Sequence, residues 1–172
     1  YNWAYVDIYG GEVHSDHGSG IVNWYDVSMY DGDISSDNGY GIENYSYLYM
    51  TDGKVHSAES VGIYNESDAT LSGGEVISLK DYGIYQNGRL DMSGDPVVIY
   101  LPAERVITII DELLPVAGET YCVETEVKPT VDAPVVQFTE DWEIYATDPE
   151  IFTQNNPAYT IGTVAEGEYL DV

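Results

Sequence analysis

The stretch VNWYDVSMYDGDISSDNGYGI, residues 22–42, is followed without a gap by ENYSYLYMTDGKVHSAESVGI, residues 43–63, and the two align position for position. Working outward, YNWAYVDIYGGEVHSDHGSGI (1–21) and YNESDATLSGGEVISLKDYGI (64–84) fall into the same register, and YQNGRLDMSGDPVVI (85–99) opens a fifth unit. Complete units in a single phase mark a repeat of 21 residues, the signature of a stacked-coil architecture.

The columns of the repeat assign the elements. Unit position 2 is Asn2, Asn23, Asn44 and Asn65, then Gln86. Apolar residues fill position 6 (Val6, Val27, Leu48, Ala69, Leu90) and position 8 (Ile8, Met29, Met50, Leu71, Met92). Their alternation with mostly polar neighbours is the period of a half-buried strand. Position 13 (Val13, Ile34, Val55, Val76) centres a second strand and position 21 (Ile21, Ile42, Ile63, Ile84) a third. Glycine holds position 11 (Gly11, Gly32, Gly53, Gly74), and with the loose stretch at 16–19 it supplies the turns. No stretch of 21 residues contains a helix-length apolar stripe. One unit cannot bury its apolar face alone, whereas stacked units put like on like about 4.8 Å apart and close a continuous core. The asparagine column reads as an amide ladder between coils.

These features predict an all-β, right-handed parallel β-helix, a solenoid with 21-residue coils over residues 1–99 and a less regular capping segment over 100–172. A left-handed hexapeptide helix is excluded, since 21 is not a multiple of six. A leucine-rich repeat fails because Gly32 stands in its Asn slot and leucine is scarce. All seven prolines lie from Pro96 onward, which sets the boundary near 96–102. Beyond it, strand-like runs fall at Val97–Leu101, Arg105–Ile110, Thr120–Glu126, Val135–Thr139, Ala158–Gly162 and Glu168–Leu170.

Composition bounds the function. The chain has 172 residues with 31 acidic against 5 basic side chains, a formal charge of −26. That sign excludes a nucleic-acid surface built on phosphate neutralisation and argues against binding to anionic lipid. A hydrophobic content of 44% allows a core, so this is no acidic disordered tail. Cys122 has no partner for an internal disulfide, and no apolar run approaches a membrane span.

Phrases such as S-G-G-E-V (72–76), V-G-I-Y-N (61–65) and Y-G-I-Y-Q-N (82–87) resemble the right-handed parallel β-helix repeats of bacterial cell-surface and secreted, adhesin-like proteins. The resemblance implies an extracellular rod that ends in a segment like 96–172. It names no catalytic residue and no cofactor.

Three groups of residues carry candidate chemistry. Trp3, Trp24 and Tyr45 form an aromatic column at position 3, Tyr5 and Tyr47 one at position 5, and Tyr9 and Tyr30 one at position 9. By alternation with the inward columns these side chains face outward. They serve either as a stripe for a glycan or a partner protein, which requires Trp3, Trp24 and Tyr45 exposed and coplanar, or as rings stacked on one another to stiffen the coils. Asp31, Asp33 and Asp52 beside the position-11 glycines, and Asp16 with Asp37 in the next loop, are candidate calcium ligands or else solvated turns. No D-x-D-x-D-G loop with a closing Glu accompanies them. His14 and His56 share a column two coils apart, too far to hold one metal, and with His17 read as surface histidines.

Catalysis is not expected. With basic residues limited to Lys54, Lys80, Arg89, Arg105 and Lys128, the surface repels acidic polysaccharides, and chance pairs of carboxylates are inevitable. The expectation is a non-catalytic extracellular structural or display module, a stiff acidic rod of a bacterial surface protein. The alternatives are a glycan- or protein-binding adhesin segment, a filament subunit and, least favoured, a polysaccharide lyase or hydrolase. Tyr1 opens a unit in phase, which suggests neighbouring coils or domains of a longer parent chain as partners, with no nucleic acid and no membrane insertion.

Overall fold

The computed structural model describes residues 1–92, 98–101, 107–109, 121–125, 136–138, 152–154, 162–163 and 169–171, with side-chain surroundings for residues 1–90 other than Gln86. In the first two coils the strands are β1 (Val6–Ser15), β2 (Ile21–Asn23) and β3 (Asp26–Ser36). In the third they are β4 (Ile42–Asn44), β5 (Tyr47–Met50) and β6 (Lys54–Ser57). In the fourth they are β7 (Ile63–Asn65), β8 (Ala69–Leu71) and β9 (Glu75–Ser78), followed by β10 (Ile84–Gln86) and β11 (Leu90–Met92). Each pairs in parallel with its equivalent one unit away: Val27 with Leu48, Ile34 with Val55, Ile42 with Ile63, Asn44 with Asn65. The protein is a parallel β-solenoid of about four turns.

Three ladders form the walls, centred on positions 6–8, 12–15 and 21–2. The first two are joined only in β1 and β3, which run unbroken through the position-11 glycine. In the third and fourth coils the strand breaks there into β5 and β6, and into β8 and β9. The third ladder is a sheet of its own, starting at β2 and continuing through β4, β7 and β10.

The predicted inward columns form the core. Val27, Met29, Ile34, Ile42, Leu48, Met50, Val55, Ile63, Leu71, Val76 and Ile84 are fully buried. The asparagine column is buried with them and forms the expected ladder. Nδ2 of Asn2, Asn23 and Asn44 donates to Oδ1 of the next asparagine at 2.9, 2.8 and 2.6 Å. The position-15 serines make a second ladder. Ser36, Ser57 and Ser78 donate to the turn carbonyls of Gly18, Gly39 and Ser60, each at 2.7 Å. Each also accepts an N–H from three residues on, which fixes the turn at 16–19.

Two glycine columns are required for different reasons. Gly11, Gly32, Gly53 and Gly74 have φ between 92° and 119°, which other residues adopt only with strain. At position 20 the need is space. A Cβ on Gly41 would lie 2.6 Å from the Gly62 carbonyl oxygen, and one on Gly62 would lie 2.6 Å from that of Gly83.

Past the regular coils lie β12 (Val98–Leu101), β13 (Ile107–Ile109), β14 (Tyr121–Thr125), β15 (Val136–Phe138), β16 (Phe152–Gln154), β17 (Gly162–Thr163) and β18 (Tyr169–Asp171). The expected boundary at 99/100 falls inside β12, which pairs with β9 on one side and β14 on the other. The offset between paired residues grows, from Tyr85 with Thr108 to Ile107 with Val136. Parallel order ends where β18 pairs antiparallel with both β15 and β17. β16 was not among the sequence-predicted runs. The outer parts of those runs, and the proline-rich joints between them, lie outside the described residues.

Candidate functional site

The outward side chains of positions 1, 3, 5 and 9 make aromatic tracks along the rod. Alternation puts positions 1 and 3 on one face, with the ladder asparagine between them pointing in. Trp3 lies on Trp24 with ring centroids 5.6 Å apart and planes within 7°. Trp24 lies on Tyr45 at 4.2 Å and 11°. Tyr9 stacks on Tyr30 at 4.9 Å and 7°, and Tyr30 meets the edge of Tyr49. Tyr5 meets Tyr25 edge-on, and the Tyr47 hydroxyl is 3.3 Å from Thr70 Oγ1. Trp3, Tyr5, Tyr9, Trp24, Tyr30 and Tyr47 are exposed, and Tyr45 is half-buried.

These rings are parallel but stacked, not coplanar. A gap of 4–6 Å between centroids is already filled by the two rings, so Trp24 has both faces covered by Trp3 and Tyr45. Solvent meets ring edges along the track. The open faces are at its end, on the outer side of Trp3, which is 69% exposed.

A second stack escaped the sequence reading. Tyr64 lies between Tyr40 and Tyr85, with centroids 4.8 and 5.0 Å away and planes within 13° and 10°. The aromatic track thus changes column, from position 3 in the first three coils to position 1 in the fourth and fifth. At the changeover an acid occupies the other column, Glu43 at position 1 in the third coil and Glu66 at position 3 in the fourth. Tyr45 donates its hydroxyl to Glu43 Oε1 at 2.6 Å, and Tyr64 donates to Glu66 Oε1, the same pair with the positions exchanged. The carboxylate hydrogen bond, aided by burial and nearby negative charge, pushes the Tyr45 phenol up to about 12 and raises Tyr64 as well. Such phenols donate hydrogen bonds at neutral pH and do not ionise. The signal was present in Glu43–Tyr45 and Tyr64–Glu66, but only when two columns are read together.

The acidic residues divide into local turns. Asp31 Oδ1 and Asp52 Oδ1 accept the N–H of Gly32 and Gly53, each at 2.7 Å, and so cap the position-11 turn. Asp33 Oδ1 lies 3.1 Å from His56 Nε2, close enough for charge pairing but out of line for a hydrogen bond. Asp16 and Asp37 converge instead on His14, whose Nε2 is 3.1 Å from Asp16 Oδ1 and 3.8 Å from Asp37 Oδ2. Their ligand atoms all lie within 4.8 Å of one another, the one set of this kind among the described residues, and all three side chains are exposed. Sequence reasoning missed His14 here because it compared histidines with each other and not with the acids two and 23 residues along.

Ser35 Oγ sits 2.9 Å from His14 Nδ1, which completes a Ser–His–Asp chain of contacts. It is not built as a nucleophile. Ser35 is 4% exposed, leaving no approach for a substrate carbonyl.

Fold and surface together define a class: a parallel β-solenoid with an acidic coat and stacked aromatic tracks. No family model matches the chain, and neither a curated protein nor a solved structure is significantly similar to it.

Proposed function

We propose that this chain is a non-catalytic structural and display module, a stiff acidic rod belonging to a bacterial surface or secreted protein. One observation carries the reading. From coil to coil the same inter-coil contacts recur: amide on amide in the asparagine ladder, serine on turn carbonyl, and ring on ring in the outward columns. Groups that elsewhere bind or catalyse are engaged here along the rod axis, where they resist bending and separation of coils. The −26 charge acts on the remaining surface by keeping neighbouring rods apart. The extracellular bacterial setting is supported by the resemblance of residues 61–65, 72–76 and 82–87 to surface-protein repeats.

Small-angle scattering over a salt series tests this. Interparticle repulsion is expected at low ionic strength, fading toward about 0.15 M salt, where the screening length is roughly 8 Å. Attraction at low salt, or turnover of any member of a polysaccharide panel, overturns the reading.

A second reading has its own support. On the tracks, Trp24, Tyr30 and Tyr47 keep 42, 39 and 41% of their surface exposed, along ring edges that a partner can reach. This favours an adhesin-like contact with a protein or glycan, or assembly into a filament. Because the track offers ring edges, it suits hydrogen bonding and edge contacts better than sugar stacked on a row of flat faces. A glycan array probed with the soluble chain separates the two readings: selective retention that is lost in Trp24→Ala favours the adhesin.

A further inference from the structure

We propose that Trp24, Tyr45 and Glu43 form a proton-coupled radical-transfer site, in which a one-electron oxidant takes an electron at the exposed edge of Trp24 and the hole passes to the Tyr45 phenol. Trp24 and Tyr45 lie face to face, with centroids 4.2 Å apart and planes within 11°. Their π systems are therefore in van der Waals contact, with no gap for the electron to cross. Trp24 is within reach of an oxidant in solution, while Tyr45 is half-buried. The Tyr45 hydroxyl donates to Glu43 Oε1 at 2.6 Å. Ser19 Oγ donates to Glu43 Oε2 at 3.0 Å, which holds the carboxylate with its other oxygen on the phenol.

This arrangement supplies what phenol oxidation needs. A phenol that loses an electron becomes a strong acid, so the electron leaves readily only where a base takes the proton in the same step. Alternation provides that base, because Glu43 and Tyr45 flank the inward Asn44 and share the outward face.

The step balances in charge and atoms. The oxidant takes one electron from Trp24 and leaves the indole radical cation. Trp24 regains an electron from Tyr45, while the hydroxyl proton crosses to Glu43 Oε1. One phenol O–H bond breaks and one carboxylic acid O–H bond forms. The products are neutral Trp24, a neutral Tyr45 phenoxyl radical and neutral Glu43, so a positive indole and a negative carboxylate are discharged together. Where the indole has already given its ring proton to water, it takes one back in the same step. A one-electron reductant such as ascorbate then returns the electron, and the Glu43 proton restores the phenol. The rod surface thereby holds an electron reserve against oxidising radicals. Tyr64 and Glu66 repeat the phenol–carboxylate pair in the next coil, but between Tyr40 and Tyr85, with tyrosine in place of the indole.

Pulse radiolysis with the azidyl radical, which oxidises tryptophan in preference to tyrosine at neutral pH, tests the site on the whole chain. The readout is decay of the tryptophan radical absorbance against growth of the tyrosyl band. A first-order phase independent of protein concentration is expected. Tyr45→Phe, which keeps the ring stack, should abolish that phase. Glu43→Gln, which keeps an acceptor oxygen but removes the base, should slow it by about a hundredfold, the lower end of what a positioned base contributes. In deuterated water the wild-type phase should also be slower, since the phenol proton moves with the electron. An undiminished phase in Tyr45→Phe overturns the proposal, because another phenol is then the donor. An unchanged rate in Glu43→Gln, or the same wild-type rate in both waters, overturns it as well. Circular dichroism checks the fold of each variant. If either fails to fold, the isotope comparison on the unaltered chain decides.

Discussion

Replacing Asn44, the central rung of the ladder, separates a cooperative amide column from a row of incidental contacts. Its Nδ2 is 2.6 Å from Asn65 Oδ1, 2.8 Å from Ser46 O and 3.1 Å from Asp68 O, and two protons serve these acceptors. Its Oδ1 accepts from Asn23 Nδ2 at 2.8 Å. Asn44→Ala removes about three good hydrogen bonds in a site closed to water, at roughly 1 kcal/mol each, for a loss of about 3 kcal/mol. Asn2→Ala should cost less, about 2 kcal/mol, because its Nδ2 serves two acceptors, Asn23 Oδ1 and Asp26 O, at 2.9 and 3.2 Å, and its Oδ1 accepts only the neighbouring Ala4 N–H. Asn44→Asp is the sharper variant. It deletes both protons and points a buried carboxylate at three oxygen acceptors, so at pH 7 it should cost more than the alanine, about 4 kcal/mol or above. Burial raises the folded-state pKa of the introduced carboxyl above its unfolded value near 4. Relative to wild type, the variant should therefore regain stability as pH falls through that raised value, and the gain should be complete below about 4. Urea unfolding followed by circular dichroism, with wild type at each pH as reference, measures all three. Equal losses at Asn2 and Asn44, or an aspartate milder than the alanine at pH 7, would refute the ladder as a source of stability.

Ile42→Asp places an unpaired charge between Ile21 and Ile63 in a fully buried column, and should cost more than about 4 kcal/mol; melting at the wild-type temperature would contradict the stacking. Gly62→Ala should cost more than Gly11→Ala. The first forces a Cβ to 2.6 and 2.8 Å from two backbone oxygens, and the second has open space and only a φ of 93° to oppose it; thermal melts that rank them the other way would overturn the close-approach explanation. In the folded chain Tyr45 should stay protonated at pH 11, because its pKa is raised to about 12 chiefly by the bond to Glu43. Its contribution to stability is present below the unfolded value near 10 and fades as pH rises through 12. Glu43→Gln should bring the phenol's absorbance change to lower pH and flatten that loss, and an unchanged titration would show that Glu43 is not the cause.

The repeat period settled the architecture before any coordinate was known. A 21-residue phase with apolar columns at positions 6, 8, 13 and 21 leaves no other way to bury those side chains than like on like, and Val27, Ile34, Ile42 and Leu48 are fully buried as that requires. The amide ladder was legible for the same reason, since identical residues in register face each other. Beyond residue 100 the period fails, and strand positions were readable only from local β-propensity. That sufficed for runs around Ile99 and Val123 but not for Phe152–Gln154.

What tertiary structure alone decided were contacts between different columns. Tyr40 on Tyr64, Tyr45 on Glu43, and His14 between Asp16 and Asp37 depend on how far each side chain leans along the rod and which rotamer fills the gap beside it. Column identity carries neither quantity. The same holds for the aromatic track, whose residues were evident in the sequence but whose stacking, with faces covered and edges out, follows from the spacing of coils.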